Sequence, residues 1–168
     1  MKTTGNKPEH MTSLSGERLV SKTHGRIVFR GVIDSLEAEV IEAQVLSSQL
    51  GEDETFGRLG EILDYLRELM AAEVKEIPLS PPFLFGMDSE EIHRQSHSTE
   101  GCPLPAYTQG AVAARINTLR AKVREAELLA VRVFGPGGEE KREDIILAMN
   151  RLSSALWWLF CRNRKNKP

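Results

Sequence analysis

The chain has 168 residues, 40% of them hydrophobic and 27% charged, values close to those of globular domains, which excludes wholesale disorder, collagen and low-complexity classes. Its 22 Lys and Arg against 24 Asp and Glu leave a formal charge of -2, so no net field draws it towards nucleic acid. A single domain over 1–168 is expected, long enough to bury a core without disulfide support. The longest unbroken apolar run, Ala155 to Cys161, has seven residues, against about 20 for a membrane span. The polar start, Met1 to His10, does not resemble a signal peptide, and the well-separated Cys102 and Cys161 are expected to be reduced thiols in the cytoplasm.

Proline is absent between Glu9 and Ile77, between Ala106 and Gly135, and between Gly137 and Lys167, which leaves windows for long helices. In the first window Ile33, Leu36, Val40, Ala43 and Leu50 recur at helical spacing. After the break at Gly51-Glu52-Asp53 the pattern resumes in Leu59, Ile62, Leu66 and Leu69, predicting a helical hairpin. The Pro-rich connection from Pro78 to Pro105 contains Asp88-Ser89-Glu90-Glu91, the capped start of one short helix ending near His97. Val112, Ile116, Leu119, Val123, Ala126, Ala130 and Val133 alternate steps of four and three, the period of a bundle seam, up to the breaker Gly135-Pro136-Gly137-Gly138. Beyond it, Glu139 and Glu140 suit a helix N-terminus, and Ile145, Met149, Leu152, Leu156 and Leu159 form the last apolar stripe. No strand alternation and no internal repeat competes. The expected fold is all-α, a five-helix bundle of four long helices and one short.

Arg120, Arg124 and Glu127 each stand one residue beyond a seam position, forming a stripe about 100° from the seam. Spacing leaves two readings open: a solvated flank with both arginines paired to carboxylates, or an anion site in which two guanidiniums one turn apart hold a polyphosphate. Asn150-Arg151-Leu152-Ser153-Ser154 sets an amide and a guanidinium in the middle of the last helix. His93 and His97, four apart, and Cys102 read either as ligands for zinc or iron or as ordinary capping and packing residues. There is no Walker loop, paired-Cys motif or Gly-x-Ser-x-Gly. The basic tail at 162–168 follows Trp157-Trp158 and reads as a solvated terminus or a contact for an acidic surface.

The stretch Met11-Thr-Ser-Leu-Ser-Gly-Glu-Arg-Leu-Val-Ser-Lys-Thr-His-Gly-Arg-Ile-Val-Phe-Arg-Gly-Val-Ile-Asp-Ser-Leu resembles the opening of the ATP:corrinoid adenosyltransferases, particularly the ethanolamine-utilisation type, which is related to the propanediol-utilisation type. Glu90-Glu-Ile-His-Arg-Gln-Ser-His, Leu119-Arg-Ala-Lys-Val-Arg-Glu-Ala-Glu and Ala148-Met-Asn-Arg-Leu-Ser-Ser resemble the family's later signatures in the same order. The resemblance runs from about Lys7 to Leu156. It implies a cobalamin adenosyltransferase-like bundle, assembled as a homotrimer with active sites between subunits, which transfers the 5′-deoxyadenosyl group of ATP to cob(I)alamin.

By the same resemblance Lys22, in the segment 1–25, matches the lysine near the ATP phosphates. Asp34 matches an aspartate that pairs across the interface with the arginine corresponding to Arg120. Arg124, Glu127 and Asn150 match other nucleotide-site positions, as does Arg26, and Lys22 and Arg124 are the expected catalytic cations. The implied cofactor is Mg²⁺ beside ATP and the corrinoid, and the implied partners are a corrinoid reductase and ethanolamine ammonia-lyase, in the cytoplasm or a bacterial microcompartment. Neither the His and clustered-Cys metal motif of the ethanolamine type nor the Thr-Gly-Asp loop of the propanediol type is matched, the nearest approach to the latter being Thr4-Gly5-Asn6-Lys7. No transition metal is therefore expected at His93, His97 and Cys102. At Cys102-Pro-Leu-Pro no aromatic stands where the propanediol type uses a phenylalanine against the lower corrinoid ligand; Phe83 and Phe85 are the other candidates.

Overall fold

A computed structural model describes residues 7–163; Thr4 to Asn6 and the end of the basic tail lie outside them. Five α-helices carry the architecture: α1 (Gly25–Gln49), α2 (Asp53–Lys75), the short α3 (Ser89–His97), α4 (Ala111–Phe134) and α5 (Glu143–Arg162). α1 packs on α2 and α4, α4 on α5, and α5 on α3. The core is the set of stripes that the spacing predicts: Ile33, Leu36, Val40 and Ala43 from α1, Leu59, Ile62, Leu66 and Leu69 from α2, Ile116, Leu119, Val123 and Ala126 from α4, and Met149, Leu152, Leu156 and Leu159 from α5 are all buried. Leu50 departs from its stripe. It is the C-cap of α1 and about half exposed, because the chain turns there at Gly51, whose φ of 70° is in the left-handed region.

Two local expectations are corrected. A hairpin precedes α1, with β1 (Met11–Ser15) antiparallel to β2 (Arg18–Ser21) around Gly16, and a bulge between Ser13 and Ser15. The Lys22 amide donates to the His10 carbonyl at 2.8 Å, so the hairpin delivers Lys22 directly to the start of α1. The second correction concerns Glu139 and Glu140, which do not begin the last helix. α5 starts at Glu143, and its first-turn acids are Glu143 and Asp144. The reason is the reversal before it. A Cβ on Gly135 would meet the Val131 carbonyl oxygen at 2.4 Å, and one on Gly138 the Val133 carbonyl oxygen at 2.2 Å. This tight glycine loop folds over the end of α4 and turns Glu139 and Glu140 back towards α1.

Candidate active site

At the start of α1, the His24 side chain caps the helix, its Nδ1 accepting from the Arg26 amide, while Nε2–H donates to Glu139 at 2.9 Å. Arg26 is buried to 3% exposure, and every nitrogen of its guanidinium is engaged. Nε donates to the Glu73 carboxylate, Nη2 to the Glu73 carbonyl at 3.0 Å, and Nη1 to Glu76 at 2.7 Å, with Glu140 at 3.1 Å. Arg30 donates to the other oxygen of Glu73. Burial opposes the charge on Arg26, and the hydrogen bonds it donates to Glu76 and Glu73 outweigh it, so its pKa stands above the ordinary value. The same bond holds the Glu76 carboxyl below the usual range. Beside this network lies a cleft of about 400 Å³ between Gly25 and Val28 of α1, Leu129 and Val133 of α4, and the glycine loop. Lys22 is exposed at its approach and, among the described residues, meets no carboxylate.

A second cleft, of about 370 Å³, is lined by Arg120 and Arg124 of α4, Ser154 and Trp157 of α5, Ser96 and His97 of α3, and Leu104 and Pro105. The Arg120 guanidinium lies over the Trp157 ring, 5.4 Å from its centroid, and its Nε donates to Asn117 at 3.2 Å. Among the described residues neither Arg120 nor Arg124 is ion-paired, so the reading in which carboxylates neutralise them does not apply within one chain. Burial, with the charge of Arg124 added, lowers the pKa of Arg120. An anion in this cleft would relieve both effects. One turn on, Glu127 accepts from the Asn150 amide at 2.8 Å, which brings α4 and α5 together at a polar joint.

The expected residues therefore fall into two groups. Arg120, Arg124, Glu127 and Asn150 come together on one side of the bundle. Arg26 lines the other cleft and Lys22 adjoins its lining residue Thr23; of the α4 residues there, Leu129 and Val133 are roughly half a turn around the helix from Arg124 and Glu127 at 100° per residue, and Arg132 is about 80° from Arg124. Asp34 is exposed on α1 and does not meet Arg120 within the chain. Two separate clefts thus border α4, one with Arg120 and Arg124, the other with Arg132 and the ion-paired Arg26, Glu139 and Glu140.

The His and Cys candidates need a correction. Cys102 and Cys161 are not free thiols but form a disulfide, with Cα atoms 5.4 Å apart, because the connection after α3 doubles back over the end of α5. Cys102 thus offers no thiolate, and the pair gives no argument for a reducing compartment. The His93 and His97 rings lie 4.5 Å apart, with Nδ1 of His97 against the His93 carbonyl at 2.9 Å. Among the described residues no three His, Cys, Asp or Glu side chains are grouped to hold a metal ion, so the donor set does not fit a resident metal. Phe85 stacks on Trp158 at 5.5 Å, and Phe83 is exposed. Spacing gave no reason to place Trp157, Leu104 or Pro105 beside the arginines, since these residues lie 15 to 37 positions from them and on other segments of the chain. No helix among the described residues is long and apolar enough to cross a membrane.

Residues 2–162 match the family model described as Cobalamin adenosyltransferase. The chain is 33% identical to the corrinoid adenosyltransferase EutT of Escherichia coli (strain K12) over 168 residues, covering 96% of this chain and 61% of that one. It is also 33% identical over 157 residues to EutT of Salmonella typhimurium, covering 90% and 57%. The chain therefore spans about three-fifths of the length of these relatives. Among solved structures it is similar to variants of a PduO-type ATP:corrinoid adenosyltransferase from Lactobacillus reuteri complexed with cobalamin and ATP. One has TM-score 0.68 at 19% identity, covering 96% of this chain and 90% of that one, and another has TM-score 0.69 at 18% identity, covering 98% and 89%. The chain belongs to the cobalamin adenosyltransferase family.

Proposed function

We propose that the chain transfers the 5′-deoxyadenosyl group of ATP to cob(I)alamin, giving adenosylcobalamin and triphosphate, and that it serves ethanolamine ammonia-lyase in the cytoplasm or a microcompartment. The observation that carries this reading is the unneutralised pair Arg120 and Arg124 beside the Glu127–Asn150 joint, in a chain of this family. In the reaction the substrate's cobalt(I) attacks the ribose C5′, the C5′–O bond breaks and triphosphate leaves with the electron pair. The protein need supply no nucleophile, which accords with a sequence lacking Ser, Cys or His nucleophile motifs. Its task is to hold the developing charge, and preorganised cations at Arg124 and Lys22 do this without reorganising. Mg²⁺ carried in on the triphosphate would add positive charge against the leaving group. Arg26 has no part in this reading, because it is buried and each of its guanidinium nitrogens already bonds within the chain.

Because Lys22 and Arg124 lie by different clefts, we read the active unit as the homotrimer that the family resemblance implies, with sites between subunits that bring Lys22 of one copy to Arg124 of the next. Exposed Asp34, which meets no cation among the described residues, then meets Arg120 of the next copy. Incubating the protein with ATP and chemically reduced cob(I)alamin while following the absorbance of adenosylcobalamin tests the reading. Turnover is expected. Corrinoid binding without turnover would instead make the chain a carrier, and neither binding nor turnover would make it a scaffold component of an ethanolamine-degrading system.

A further inference from the structure

Asn150 is held from two sides. Its Nδ2 donates to Glu127 at 2.8 Å, and its Oδ1 accepts from Nη1 of Arg151 at 2.6 Å. Turning the amide over would set its NH₂ against a guanidinium that can only donate and its oxygen against a carboxylate that can only accept, so a single orientation survives. Arg151 is itself fixed. Its side chain is 11% exposed, Nε donates to the Ser89 carbonyl at 2.9 Å, and Nη2 lies 3.6 Å from Glu90. The start of α3 thus locks a guanidinium, the guanidinium locks an amide, and the amide joins α5 to α4. One Nδ2 hydrogen and one Oδ1 lone pair of Asn150 remain for a ligand.

We infer that Arg151 is a positioning residue, which sets the donor and acceptor directions of Asn150 towards the nucleotide through the Ser89–Arg151–Asn150–Glu127 chain. The inference rests on the adenosyl-transfer reading. A lysine at 151 can still reach the Ser89 carbonyl, but its point-like ammonium lacks the planar fork that serves Ser89 and Asn150 together. The two functions of Arg151, tying α3 to α5 and orienting the amide, can therefore be separated.

The test is a double-mutant cycle. It measures kcat/KM for ATP with reduced cob(I)alamin, binding of a non-transferable ATP analogue and thermal stability for wild type, Arg151→Ala, Arg151→Lys, Asn150→Ala and the combined Asn150→Ala and Arg151→Ala variant. Arg151→Ala is expected to lower kcat/KM about tenfold or more, the scale of one lost charge-assisted hydrogen bond. Arg151→Lys should melt near wild type yet keep most of that loss, which a purely structural arginine would not do. In the Asn150→Ala background, removing Arg151 should change kcat/KM and analogue binding by less than about twofold. Equal losses in both backgrounds, or wild-type kcat/KM in Arg151→Lys, overturn the inference, and so does full activity of Asn150→Ala. If Arg151→Ala does not fold, the lysine variant in both backgrounds decides the same point. A wild type without turnover or analogue binding removes the adenosyl-transfer reading, and this inference with it.

Discussion

Arg26 and Arg124 are chemically the same side chain in opposite circumstances, and their surroundings decide what each can do. Arg26 sits with Glu73 where their side chains are 4% and 0% exposed, and removing Arg26 leaves the desolvated Glu73 carboxylate with Arg30 as its remaining cation among the described residues. Arg26→Ala should therefore cost about 3–5 kcal/mol of stability, read from the urea midpoint, while turnover of the protein that remains folded changes little. A large loss of turnover at unchanged stability would make Arg26 a ligand contact after all. Arg124 is exposed on a cleft wall, so its loss should be felt in catalysis and hardly in folding. Both arginines stand out in the sequence, but only burial and partners separate the strut from the candidate ligand.

At the scale of elements, the connection from α3 to α4 depends on few contacts. Thr99 accepts from the Trp157 indole at 3.1 Å, Cys102 is bonded to Cys161, and Leu104 and Tyr107 are almost fully exposed. The disulfide closes a loop of 59 residues, which in the chain-entropy model contributes about 4 kcal/mol. Reduction, or Cys102→Ser, should lower the denaturant midpoint accordingly and speed amide exchange over 98–110. Two titratable thiols in the purified protein, or an unchanged midpoint, would argue against the crosslink. A second tie joins the α2–α3 connection to the start of α5: Asp144 accepts from the Leu79 amide at 2.9 Å and from Arg142 at 2.9 Å. Burial works against the Asp144 carboxylate, but Arg142 and the amide prevail and its pKa lies below the ordinary value, as does that of Glu76. Depressed carboxyls stabilise fully above their unfolded pKa values of about 3.9–4.3 and lose that contribution as pH falls through the folded values. Stability should accordingly fall below about pH 4, and less steeply in Asp144→Asn, measured by urea midpoints across pH.

The long helices were legible because their burial repeats every three or four residues over 20 or more positions. The hairpin was not, since β1 and β2 have five and four residues and bury Leu14 alone among their large apolar side chains. No local pattern announces it. The Arg120, Arg124 and Glu127 stripe could be read from helical arithmetic, and Asn150 entered through the family resemblance. The disulfide and the Trp157 contact could not be read, because they depend on how a proline-rich connection folds back in space.

For the whole molecule, α4 borders both clefts, through Leu129, Arg132 and Val133 on one and through Arg120 and Arg124 on the other. A charge pair across subunits should then tie assembly to activity. Asp34→Ala or Arg120→Ala should weaken both, and the swap Asp34→Arg with Arg120→Asp should restore the oligomer better than either single swap. Sedimentation equilibrium on these variants checks it, and full assembly of both alanine variants would place the contact elsewhere. The most direct test of the inter-subunit site mixes two damaged chains. Lys22→Ala and Arg124→Ala should each lower turnover by about 10²–10³, the loss expected for one preorganised donor. In a head-to-tail ring each interface joins one face of a copy to the other face of the next. Subunits of the two variants, unfolded together and refolded in equal amounts, should thus recover roughly a quarter of wild-type turnover, because that fraction of interfaces pairs an intact Lys22 with an intact Arg124. Turnover of the mixture no higher than the average of the two separate variants would contradict the account, since it would mean that Lys22 and Arg124 do not act from different copies on one ATP.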